Sequence, residues 1–155
     1  MDKYIGTKLI EAEPMNLGDY NKFKGWTIPA NENPKREGYK VKYSDDYISW
    51  SPKEAFEKAY RKTNGMNFGL AVEAAKKGFK IARKGWNGKG MFVVFQKGYP
   101  KGISCNKQTA KAWGLNEGDS FKCEPYLQIK MVNGSHSMWV PSINDVLAED
   151  WLIID

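Results

Sequence analysis

The chain has 155 residues, 41% of them apolar and 27% charged, a balance that excludes a disordered chain and fits one ordinary domain or two small ones. Its formal charge of +6 is spread thinly. Up to Gly65 there are 12 Lys+Arg against 10 Asp+Glu, and beyond it 12 against 8, so no basic block of the duplex-gripping kind exists.

Lys3 to Pro14 alternates loosely and reads as a strand anchored by Ile5, Leu9 and Ile10. Met15 to Lys35 reads as a loop, attached through Phe23 and Trp26. Gly38–Tyr43 and Tyr47–Trp50 read as a hairpin turned at Ser44, Asp45 and Asp46. Ser51-Pro52-Lys53-Glu54 is a helix start with Ser51 as cap, and Asn64-Gly65 stops that helix near Thr63. This is the expected domain boundary: a small α+β module over 1–63, and a second domain over 64–155.

The second domain restarts at Met66. Asn67 caps a helix with Phe68, Ala71, Val72 and Ala75 on its apolar face, and Gly78 ends it. Phe79–Arg83 reads as a short strand and Met91–Gln96 as a fully buried one. Tyr99–Cys105 reads as irregular, Asn106–Trp113 as a short helix and Leu115–Asp119 as a turn. Tyr126–Val132 and Ser137–Val140 form a hairpin at Asn133-Gly134. Pro141 breaks the second strand, Ser142 and Asp145 start a brief helix, and Trp151–Ile154 closes as a strand. The fold class expected is α+β, a small antiparallel sheet with an N-terminal helix and a short helix before the last strand.

Catalytic and metal chemistry is scarce. Cys105 and Cys123 lie too far apart for a Cys-x-x-Cys motif, and His136 is the one histidine, so no usual Cys/His zinc site assembles within one chain. His136 has no evident partner that would make it a base for a nucleophile. Glu149 and Asp150 read as helix-end surface charges. No metal and no cofactor are expected. No apolar run reaches the roughly 18 residues of a membrane span, and the charged start is no signal peptide, so a cytosolic protein with free thiols is expected.

Binding chemistry concentrates in Ile81–Phe95, IARKGWNGKGMFVVF. Gly85, Gly88 and Gly90 fit neither a Walker loop nor a dinucleotide fingerprint. An ordinary turn and a ligand loop both remain open on composition. Arg83 and Lys84 precede the loop as candidate anion partners, Trp86 lies between glycines and presents a flat ring, and Asn87 offers donor and acceptor. A second constellation is Met138-Trp139-Val140-Pro141-Ser142-Ile143-Asn144-Asp145, a strand ending in a ring and followed by a helix start. Ser142 and Asp145 either cap their own helix or also meet a ligand.

MNFGLAVEAAKKGFKIARKGWNGKGMFVVF, PYLQIKMVNG and MWVPSINDVLAEDWLI together resemble a phage and prophage domain, the second type of Thoeris anti-defence protein. The resemblance covers Met66 to Asp155 and is most specific in ARKGWNGKGM and WVPSxxDxLAEDW. It implies a non-enzymatic sponge that binds cyclic ADP-ribose isomers made by bacterial immune TIR proteins, with cyclic dinucleotides as further ligands, and assembles as a homo-oligomer, typically a tetramer, with pockets between protomers. Phe68, Trp86, Asn87 and Trp139 would then contact bases and riboses. Arg83 and the loop around Gly88 would approach phosphates, Ser142 and Asp145 would hold polar groups, and Met91 and Pro141 complete the ligand-binding set. A nucleotide hydrolase and a nucleic-acid-binding module are the competing readings. The expected location is the cytoplasm of an infected bacterium, with no membrane and no nucleic-acid polymer as partner.

Overall fold

A computed structural model describes residues 1–86 and 90–155. The chain divides into two units, Met1–Arg61 and Lys62–Asp155, and the elements of both are α+β with antiparallel sheets.

In the first unit, β1 (Glu11–Pro14) is much shorter than the strand expected from Lys3. Residues 1–10 carry no regular structure, and Ile5 is 95% exposed. The neighbouring strand pairs only with Glu11–Pro14, so the alternation in the tail has nothing to pack against. The expected loop contains a helix, α1 (Leu17–Lys24). Asn16 caps it by accepting from the Asp19 N–H at 2.8 Å, and Gly25 closes it in the left-handed region at φ 71°. Gly18 is required there, since a Cβ would lie 2.7 Å from the Pro34 ring and 2.9 Å from its carbonyl.

β2 (Gly38–Lys42) and β3 (Ile48–Pro52) form the expected hairpin, giving a three-stranded sheet in the order β1-β2-β3. The ladder runs on through Pro52, which holds Ser51 in the strand and away from its expected capping role. Accordingly α2 (Lys53–Ala59) starts after Pro52 without a side-chain cap, and Tyr60 ends it in extended conformation. Phe56 stacks on Tyr39 of β2, ring centroids 4.1 Å apart, fixing α2 to the sheet.

The second unit opens on a bridge between Met66 and Trp151, with N–H to carbonyl bonds of 2.8 and 3.1 Å. α3 (Phe68–Lys76) is capped by Asn67 as expected, and Gly78 turns the chain at φ 99°. β4 (Lys80–Arg83) and β5 (Phe92–Gln96) follow. β6 (Tyr99–Ser104) replaces the expected irregular stretch, α4 (Lys107–Trp113) is capped by Asn106, and β7 (Ser120–Cys123) is a strand for which the sequence raised no expectation. Pro100, Gly102 and a register shift between Tyr99 and Ile103 hide β6 from a periodicity argument. The pair β6–β7 is a sheet of its own, closed at the buried Cys105, whose N–H donates to the Asp119 carbonyl at 2.8 Å. Cys105 and Cys123 are free thiols.

β8 (Tyr126–Lys130), β9 (His136–Met138), α5 (Ile143–Leu147) and β10 (Trp151–Ile154) complete the unit. The main sheet has the order β10-β4-β5-β8-β9. Its core gathers Ala71 and Ala75 of α3 with Ile81, Val93, Ile129 and Trp151. Alanine at the helix positions lets α3 approach the sheet closely. Only Val93 of β5 is buried, contrary to a fully buried strand, because its even-numbered side chains lie on the other face, where the Gln96 amide donates to the Gln128 carbonyl oxygen at 2.8 Å. Among the described residues no helix is long and apolar enough to cross a membrane.

Candidate functional site

Four aromatic rings meet where α3 begins, β4 ends, β9 exits and β10 starts. Trp151 is fully buried at their centre. Phe68, Trp86 and Trp139 pack around it with ring centroids 5.4, 5.5 and 6.0 Å from its own, all tilted or edge-to-face, and each of the three keeps part of its surface open. Each ring arrives for a local reason: Phe68 begins a capped helix, Trp86 follows a tight turn closed by its own N–H to the Arg83 carbonyl at 3.2 Å, and Trp139 is held by its N–H to the Leu127 carbonyl at 2.8 Å.

Trp86 and Trp139 stand at 76° with centroids 6.1 Å apart. A base held between two rings needs them parallel, with two contacts of about 3.5–4.0 Å. At this angle the two indoles form no parallel slot for a planar group.

Arg83, paired with Trp151 across the β4–β10 ladder, lies between two carboxylates. Its Nε donates to Asp150 Oδ1 at 2.9 Å and its Nη1 to Asp145 Oδ1 at 3.1 Å, with the three side chains between 14% and 33% exposed. The other Asp145 oxygen closes a capping box, accepting from the Ser142 N–H at 2.9 Å and hydroxyl at 2.8 Å. Asp150 Oδ2 accepts from the Gly85 N–H at 3.2 Å, and the Asp150 carbonyl from the Lys84 N–H at 3.1 Å. The Asp145 carbonyl in turn takes the Trp151 indole N–H at 2.8 Å. Ion pairs and rings thus form one connected assembly.

Burial pushes the Asp145 carboxyl up, but bonds from Ser142 and Arg83 outweigh it and hold the group below its ordinary value. The Arg83 guanidinium, ahead of the opposing burial, holds Asp150 down as well, helped by the Gly85 N–H. Both carboxylates are therefore ionised at neutral pH, and with Arg83 they leave a local charge of −1.

The structure brings together Phe68, Arg83, Trp86, Trp139, Ser142 and Asp145 of the sequence-derived set. Ser142 and Asp145 do cap their helix, and Asp145 also pairs with Arg83. Met91 packs at the edge of the core, and the half-buried Pro141 leads into α5. Asn87 and Gly88 lie outside the described residues. Past them, Gly90 adopts φ 76° and its carbonyl accepts from Lys130 Nζ at 3.1 Å.

Sequence reasoning did not single out Asp150 and Trp151, which the structure joins to this assembly. Asp150 read as a surface charge because its partner is 67 residues away. The one available signal was its position directly before the buried Trp151 in LAEDW.

The fold and site define a small α+β domain whose sheet end carries an aromatic cluster braced by a charged triad. Residues 66–154 match the family described as the Thoeris anti-defense 2-like domain, and the chain belongs to that family. It is 37% identical over 93 residues to Thoeris anti-defense 2 of Bacillus phage SP01, covering 57% of this chain and 94% of that protein. The family match begins at Met66 and spans every member of the aromatic cluster and triad.

Proposed function

We propose that this chain is a phage anti-defence protein that captures and withholds a cyclic nucleotide immune signal without cleaving it. Membership of the anti-defence family supports the general role. The observation that carries the finer reading is the braced cluster of Phe68, Trp86 and Trp139. Partly open indole and phenyl faces stack on bases of any sequence, and their support by Arg83, Asp145 and Asp150 costs little reorganisation on binding. Cyclic ADP-ribose isomers are the leading ligand class and cyclic dinucleotides the second.

Capture without cleavage is also favoured by the state of the acidic groups. Asp145 and Asp150 are held ionised and occupied by donors, which suits neither as a proton donor at neutral pH. His136 is exposed on the edge strand β9. Residues 64–155 are the nucleotide-binding domain in this reading, and 1–63 a separate module. The protein acts in the cytoplasm of the infected cell as a homo-oligomer, a tetramer in the simplest case. An apolar surface beside β9 and α5 supports self-association: Met138, Val140, Ile143 and Leu147 are 69%, 84%, 68% and 72% exposed.

The test is to incubate the full chain with a cyclic ADP-ribose isomer, remove unbound ligand, denature the protein and analyse what is released. Unchanged nucleotide in stoichiometric amount supports the proposal. A cleaved product would convert the reading to a hydrolase.

A further inference from the structure

Asp150 touches three consecutive residues at the root of the loop that carries Trp86. Its Oδ1 takes the Arg83 Nε–H at 2.9 Å, its carbonyl the Lys84 N–H at 3.1 Å, and its Oδ2 the Gly85 N–H at 3.2 Å. The next residue is Trp86, whose N–H returns to the Arg83 carbonyl at 3.2 Å. One side chain and one carbonyl thus fix the turn from which the indole departs. Asp150 precedes Trp151, and the β10–β4 ladder pairs Trp151 with Arg83, so the brace is anchored in the sheet. Through Arg83 Nη1 the same brace reaches Asp145 and the cap of α5, and the Asp145 carbonyl orients the Trp151 ring against which Trp86 and Trp139 pack.

We infer that Asp150 is a positioning residue for ligand capture. It sets the Trp86 ring against Trp139 by holding Arg83–Gly85, and all of its action passes through the protein. This inference rests on the proposal that these rings take the ligand. It also assigns Arg83 a role in the brace: two of its donors serve carboxylates, so its charge is compensated before any anion arrives. Local electrostatics follow, because a pair of carboxylates around one guanidinium repels a phosphate placed beside it. The anionic part of the ligand is expected away from the triad.

The experiment compares the full-length wild type with Asp150→Asn. Hydrogen exchange is read at the Lys84 and Gly85 amides and at the core amide of Val93, and affinity is measured with a cyclic ADP-ribose isomer as probe. The expected result is at least about tenfold faster exchange at Gly85, whose N–H loses its carboxylate acceptor, unchanged exchange at Val93, and at least about tenfold weaker binding. A general loss of stability would instead accelerate Val93 along with the others. Unchanged exchange at Gly85, or unchanged affinity despite faster exchange there, overturns the positioning role. If the wild type binds no probe, the nucleotide reading fails, while the exchange comparison still decides whether Asp150 braces the loop. Should Asp150→Asn unfold the domain, Asp150→Glu is measured in its place. It keeps the charge but displaces the carboxylate by one methylene, and the same local losses are expected.

Discussion

The two units use aromatic rings and ion pairs in different ways. In the first, Tyr39, Phe56 and Tyr60 stack nearly parallel, at 20° and 27°, and join a helix to a sheet. Lys53–Glu37 and Lys42–Asp46 are ion pairs there that lie open to water. In the second, Phe68, Trp86 and Trp139 lean on a fully buried Trp151 at 51° to 76°, and the ion pairs connect to them through the Trp151 indole bond to the Asp145 carbonyl. Stacked rings cover each other's faces, whereas the three tilted rings around a buried centre each keep part of their surface exposed. The same contrast applies to charge: pairs in water hold nothing in place, while Arg83 between two carboxylates connects a strand end, a loop root and a helix cap.

Mutations can break or sharpen this contrast. Trp151→Ala should have the largest effect, about 3–5 kcal/mol of destabilisation for a buried Trp, read as loss of exchange protection at Val93. Arg83→Met leaves Asp145 and Asp150 without their cation and should cost about 1–3 kcal/mol, the penalty for stranding partly buried acceptors. It should also change the acid limb of the stability curve. Both carboxyls titrate below their ordinary value in the folded state. Their contribution is complete above the unfolded value, about 3.9, and is lost as pH falls through the lower folded values. Acid denaturation of Arg83→Met should therefore be shallower than that of the wild type. Ser142→Ala removes a capping hydroxyl and should cost about 1 kcal/mol, seen in faster exchange over α5. Lys53→Ala, in the first unit, should leave the melting midpoint unchanged. A shift there comparable to that of Arg83→Met would erase the distinction drawn between the two kinds of ion pair.

What was legible in the sequence was what is local. The caps at Asn67, Asn106 and Ser142 are set by residues three apart, and the hairpin at Asn133-Gly134 by a turn dipeptide. Trp86 and Trp139 stood out in the sequence and do meet in the structure, but the buried Trp151 that joins them did not stand out. Asp150 was invisible as a brace because β10 and β4 become neighbours only through sheet order. Helix α1 was hidden by its polar composition, with Tyr20 its only large buried apolar side chain, and β6 by Pro100 and Gly102. In each of these cases tertiary pairing decided what short-range pattern left open.

The most direct test of the account is equilibrium dialysis of a cyclic ADP-ribose isomer against the wild type and Trp86→Ala, with folding checked by exchange at Val93 and Ile129. The account predicts stoichiometric capture by the wild type and loss of capture in the variant, with both core amides still protected. Undiminished capture by a folded Trp86→Ala protein would contradict it.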